Sequence, residues 1–93
     1  MKTTETDIRR QVQDYLCIKG WFTYYNLQGL GAYRGIPDLI AVKSGRVLFI
    51  ELKTARGRQS DHQKKFQADL EAAGGEYILC RGAEDLQERG ILT

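Results

Sequence analysis

Apolar residues recur at helical spacing along the first stretch of the chain. Ile8, Val12, Tyr15 and Leu16 form one stripe, which predicts a helix over residues 4–19. Thr4 is placed to cap the first turn, Glu5 and Asp7 suit the positive helix end, and Gly20 supplies the stop. At about 100° per residue, Glu5 shares an azimuth with Val12 and Leu16. It is therefore expected at the end of the buried stripe, off the solvent face.

The pattern then changes to period two. Trp21–Asn26, rich in aromatic and β-branched residues, predicts a strand, and residues 27–36, with Gly29, Gly31 and Gly35, predict a loop. Asp38–Val42 is a short apolar run that suits a central strand. Ser44-Gly45 marks a hairpin turn, and Arg46–Lys53 returns with Leu48, Ile50 and Leu52 on one face and Val47, Phe49, Glu51 and Lys53 on the other. After the basic loop 55–59, a helix is expected over about 60–73. Ser60 and Gln63 fit a capping box, Phe66, Leu70 and Ala73 face inward, and Gly74-Gly75 ends it. Glu76–Cys80 predicts a strand and Ala83–Arg89 a terminal helix. The order α-β-β-β-α-β-α implies an α/β fold, one mixed central sheet flanked by helices, in a single domain over residues 1–93.

Composition excludes little: 42% of residues are hydrophobic and 28% charged, as in an ordinary globular protein. No apolar run is long enough to span a bilayer and the N-terminal stretch is polar, so neither a membrane partner nor a secretory signal is expected. Cys17 and Cys80 lack the spacing of a zinc or disulfide framework and read as buried, reduced thiols of a cytoplasmic protein. The net charge is only +2, but it is unevenly placed. Residues 34–65 hold eight cations against three carboxylates, whereas residues 66–93 hold two cations against six. A polyanion would dock on the middle of the chain.

The chemistry concentrates in Gly35-Ile36-Pro37-Asp38-Leu39-Ile40 and Phe49-Ile50-Glu51-Leu52-Lys53. The hairpin returns Glu51 to the strand end where Asp38 begins, so both carboxylates meet at one sheet edge, and Glu51 and Lys53 share a face. Each charge interrupts an apolar strand, and burying an ionised group without a partner is costly. A surface ion pair would instead have polar flanks. A divalent cation held by Asp38 and Glu51, with the backbone carbonyl of Leu52 as a further ligand, meets that cost. Oxygen ligands favour Mg²⁺ or Mn²⁺. Lys53 would then orient or deprotonate a water, or stabilise the transition state of phosphoryl transfer.

Pro37-Asp38 followed by Glu51-Leu52-Lys53 resembles the signature of PD-(D/E)XK nucleases. With the early helical Glu5, Gly35–Leu39 and the later Gln63, the chain is similar to the VRR-NUC branch, in its stand-alone phage or bacterial form, over roughly residues 5–80. The resemblance implies a restriction-endonuclease-like core and hydrolysis of DNA phosphodiesters. Asp38 and Glu51 would ligate Mg²⁺ or Mn²⁺, Lys53 would be the catalytic lysine, Glu5 would complete the acidic cluster directly or through water, and Gln63 would support the site. It further implies a homodimer working on branched, Holliday-junction-like DNA. Glu5 also reads as a carboxylate complementing the helix dipole, and Gln63 as half of the capping box with Ser60. The two roles of Gln63 are compatible only if its side chain alternates or the cap is imperfect.

Arg9, Arg10, Asn26, Tyr33, Arg34, Arg56, Arg58 and Lys64 are the candidate DNA contacts. Tyr24, Tyr25 and Gln28 flank the same glycine loop, and Lys65 joins the basic group. Phosphate contacts of this kind position a duplex without reading its sequence. A non-catalytic DNA-binding module of the same fold would need a broken acidic cluster, and no key position is broken. A dimerisation or inhibitor module without nucleic acid runs against the basic middle segment.

Overall fold

A computed structural model describes residues 4–26 and 33–90. The elements are α1 (Glu5–Ile18), β1 (Phe22–Tyr25), β2 (Leu39–Lys43), β3 (Arg46–Leu52), α2 (Asp61–Ala72), β4 (Glu76–Cys80) and α3 (Ala83–Glu88). The predicted order is observed, with ends shifted by a residue or so. Asp38 precedes β2 instead of opening it.

The strands lie side by side in chain order. β1/β2 and β2/β3 are antiparallel, whereas β3/β4 are parallel because α2 carries the chain back across the sheet. The β2–β3 hairpin turns on Ser44 (φ 51°) and Gly45 (φ 81°). Two successive left-handed residues match the right-handed twist of the flanking strands.

The period-two pattern sorts the two faces. Leu39, Ala41, Leu48, Ile50, Leu52, Ile78 and Cys80 face one side, where Ile8, Val12 and Leu16 of α1 and Leu86 of α3 close the core. Each covered Leu, Ile or Val side chain contributes roughly 1.5–3 kcal/mol of hydrophobic stabilisation. Thr4 caps α1 as expected, and Asp7 completes the box by accepting from the Thr4 N–H at 3.1 Å.

The opposite face carries Tyr24, Ile40, Phe49, Glu51 and Tyr77. Here α2 packs through Phe66, whose ring lies 6.2 Å from that of Phe49 and 6.4 Å from that of Tyr77. No residue of α2 is fully buried. Ala73, expected to face inward, is the exposed C-cap, and Phe66 and Leu70 are only half-buried, because among the described elements α2 alone lies on this face of the sheet. Cys17 is exposed on α1, contrary to expectation, whereas Cys80 is buried and donates to the Gly82 carbonyl at 3.1 Å. Burial pushes the Cys80 thiol up to about 11, which keeps it protonated and inert.

Candidate active site

Continuing the β2/β3 register by one residue sets Asp38 opposite Glu51, and continuing β1/β2 sets Asn26 opposite Asp38. The Asn26 N–H donates to the Asp38 carbonyl at 2.9 Å, and its side-chain amide donates to the Pro37 carbonyl at 2.9 Å. Asn26, read from sequence as a DNA contact, is thus half-buried and holds the Pro37–Asp38 corner. β3 runs on to Leu52 while β2 begins only at Leu39, so the Leu52 N–H has no main-chain partner across the hairpin. Asp38 Oδ2 accepts it at 2.9 Å.

Glu51 is 2% exposed and is the one buried charged residue among those described. Its carboxyl is pushed up to about 8, first by burial, then by the facing Asp38 carboxyl, with the Lys53 ammonium partly opposing and Glu5 adding slightly. Lys53 Nζ lies 3.9 Å from Glu51 Oε2. Gln63 Nε2 donates to the same oxygen at 2.9 Å. As a carboxylate, Glu51 Oε1 is buried with no donor to it; once protonated, the group can donate to the facing Asp38 carboxyl, which is one cause of its raised pKa. A buried acceptor left unpaired costs about 1–3 kcal/mol, so this oxygen stands out against the satisfied atoms around it.

The expected conflict at Gln63 does not arise. Its Oε1 accepts from the Ser60 N–H at 2.8 Å while its Nε2 bonds Glu51, and Ser60 Oγ accepts from the Gln63 N–H at 3.2 Å. A planar amide has an acceptor at one end and donors at the other, so one conformation caps α2 and reaches the site. The helix start is therefore locked to the carboxylate pair.

Glu5 departs from expectation: it is exposed. Its helix lies on the face opposite Glu51, and its first turn extends beyond Ile8, the first covered residue. Glu5 acts on Glu51 only through space. Among the described residues no group of three His, Cys, Asp or Glu side chains converges as a metal centre, so the site is a carboxylate pair plus Lys53 and Gln63.

A cleft of about 330 Å³ opens beside Asp38, lined by Arg34, Gly35, Ile36, Asp38, Ser60, His62 and Gln63. Gly35 has φ +83°, and a Cβ there would sit 2.3 Å from the His62 carbonyl oxygen. Only glycine lets this segment pass so close to the first turn of α2. Arg34 Nη1 is 3.5 Å from His62 Nε2 at the mouth.

Of the other proposed contacts, Arg10, Arg56, Arg58 and Lys64 are exposed. Arg9 lies over the Tyr25 ring at 5.1 Å, and Tyr33 donates to Asp69 Oδ2 at 2.9 Å with its ring edge-on to Phe66. Gln28, Gly29 and Gly31 fall outside the described residues. Lys65 pairs with Asp69 on the exposed side of α2.

Sequence reasoning missed Arg81. Its Nη1 donates to the carbonyls of Thr54, Ala55 and Gly57. Gly57 in turn backs onto Lys53, where an added Cβ would meet the lysine stem at 3.3 Å. Arg81 thus holds the loop against which Lys53 leans. The only signal in the sequence was one of two arginines in the acidic C-terminal third.

No functionally curated protein matches the chain. One solved structure, described as a VRR_NUC domain, superposes with a TM-score of 0.78 over 90% of each chain at 17% identity, which shows the fold. The sequence itself matches the VRR-NUC domain family over residues 2–84, and by that match the chain belongs to this family of PD-(D/E)XK-type nucleases.

Proposed function

We propose that this chain is a metal-dependent DNA endonuclease that hydrolyses phosphodiester bonds at Asp38, Glu51 and Lys53. The observation that carries the reading is the buried Glu51 carboxyl facing that of Asp38, with no donor to Oε1 when ionised and an ammonium group 3.9 Å from the other oxygen. Two acidic groups forced together under burial, with one oxygen unspent, fit the donor set of a hard divalent cation. Asp38 and Glu51 would hold Mg²⁺ or Mn²⁺, with the Leu52 carbonyl as a further oxygen and Glu5 joining through water. When bound, the ion supplies positive charge at the phosphate and makes a nearby water more acidic.

The chain's own groups do the rest. Gln63 fixes the Glu51 carboxyl through one oxygen and leaves the other available. The Leu52 N–H orients Asp38. Lys53, held by the 54–57 loop, orients the water that attacks phosphorus, or offsets charge on the phosphate oxygens as the ester oxygen departs. Arg34 at the cleft mouth and the exposed Arg10, Arg56, Arg58 and Lys64 receive backbone phosphates. Such contacts position nucleic acid without reading its sequence, which is compatible with a structure-selective nuclease acting on branched DNA. A symmetric homodimer would present two such sites to paired strands.

The test is cleavage of branched, flapped and linear DNA with Mg²⁺, Mn²⁺ or EDTA. The protein should cut with either ion and stop in EDTA. Asp38→Ala, Glu51→Ala and Lys53→Ala should each abolish cutting while DNA binding persists. Undiminished cutting by Glu51→Ala would remove the mechanism, and sedimentation of a monomer that still cuts both strands would remove the dimer.

A further inference from the structure

The sheet face that bears the carboxylates also bears an unexplained aromatic pair. Stepping two residues along each strand from the row Asn26–Asp38–Glu51 gives Tyr24–Ile40–Phe49, and two more gives Phe22–Val42–Val47. Phe22 is 66% exposed, Tyr24 47% and Val47 38%. The Phe22 and Tyr24 rings are 5.9 Å apart and tilted by 45°. At a strand rise of about 3.3 Å per residue, Tyr24 lies about 7 Å and Phe22 about 13 Å up the edge strand from the carboxylate row.

Three features identify what this pair receives. It is small: two rings about half exposed offer roughly 200–250 Å², far below the roughly 800 Å² per partner that a stable protein interface buries. The rows of this face that cross β1, β2 and β3 beyond the carboxylates carry no charged residue. And the pair is continuous with the row that would handle the phosphate, with Arg34 and Lys53 at that end. A flat, uncharged aromatic surface beside a phosphate site matches an unpaired nucleobase, whose π-face stacks without regard to sequence.

We propose that Phe22 and Tyr24 form a stacking platform for unpaired bases flanking the scissile phosphate, so that the substrate is nucleic acid with a single-stranded segment adjoining the cut. This rests on the nuclease reading above and narrows it to a substrate class. Stacked bases are held on β1 while their backbone passes the carboxylate row. A blunt duplex, whose bases are already stacked, gains nothing from the platform.

Three DNAs of shared sequence distinguish the possibilities: a single strand, a fork with a 2-aminopurine in the unpaired arm, and a blunt duplex. Affinity is read in EDTA by anisotropy and 2-aminopurine fluorescence, and cleavage is read with Mn²⁺. The protein should bind the fork and the single strand at least about tenfold more tightly than the blunt duplex, with a change in 2-aminopurine emission. Phe22→Ala and Tyr24→Ala should each weaken fork binding about tenfold, the double variant more, and Tyr24→Trp should retain it. Duplex affinity and the rate on any duplex that is cut should not change. Both rings are exposed, so the variants should melt as the parent does.

Equal affinity for fork and duplex, or a double variant with an unchanged fork preference, would overturn the proposal. So would a parent dimer that the double variant converts to a monomer, since the rings would then belong to a subunit contact. If no DNA is cut, the catalytic reading fails while the EDTA binding data still decide the platform.

Discussion

Glu51 stores a measurable penalty in the metal-free protein, and replacing it by glutamine should release that penalty. Unfolded, a glutamate carboxyl titrates near its model value of 4.5; folded, Glu51 is pushed up to about 8. Below the lower value both states hold the proton. Between the two, the folded state keeps a proton that the unfolded state has released, so stability falls as pH rises through the window and levels off above about 8. By pH 7.5 this amounts to about 2–4 kcal/mol relative to pH 4. Glu51→Gln keeps an acceptor for Gln63 Nε2 and turns the other end into a donor facing Asp38. In EDTA, urea melts from pH 4.5 to 8.5 should show the two proteins converging at acid pH. At pH 7.5 the variant should be more stable by the same 2–4 kcal/mol, a gain of about 10 °C or more in Tm for a domain of this size. Mn²⁺ should stabilise the parent more than the variant. A difference that does not grow with pH, or a variant less stable than the parent throughout, would refute the reasoning.

Ser60→Ala and Gln63→Ala should separate the two ends of the shared amide. Each loses part of the α2 cap, about 1 kcal/mol by denaturant melts, but only Gln63→Ala releases Glu51, so only it should cut turnover sharply. Gly35→Ala should cost about 3 kcal/mol, from the left-handed backbone and the clash with His62, read as a lower urea midpoint with an unchanged slope. Arg81→Ala should change stability by under about 1 kcal/mol, because the side chain is exposed, yet lower kcat with little effect on KM, since the loop behind Lys53 loosens; an unchanged kcat would exclude that role.

The element order and the sorting of faces were legible in the chain because each rests on local rules. Period two along 46–53 separates Leu48, Ile50 and Leu52 from Phe49 and Glu51 whatever the strand packs against, and Ser44-Gly45 turns back on its own backbone preference. That turn also sets the register, so the meeting of Asp38 and Glu51 followed from the sequence alone. Where packing chooses among options, the chain was silent or misleading. The azimuth of Glu5 was right, but which face of the sheet α1 would cover lies in no local pattern, and that choice left Glu5 exposed. The double use of Gln63 needed the first turn of α2 placed so that its side-chain amide reaches Glu51 at 2.9 Å, and the reach of Arg81 to the 54–57 carbonyls spans two parallel strands. Periodicity and turn chemistry act over a few residues, whereas contacts between segments far apart in the chain depend on how the whole sheet is covered, and only the tertiary structure decides that.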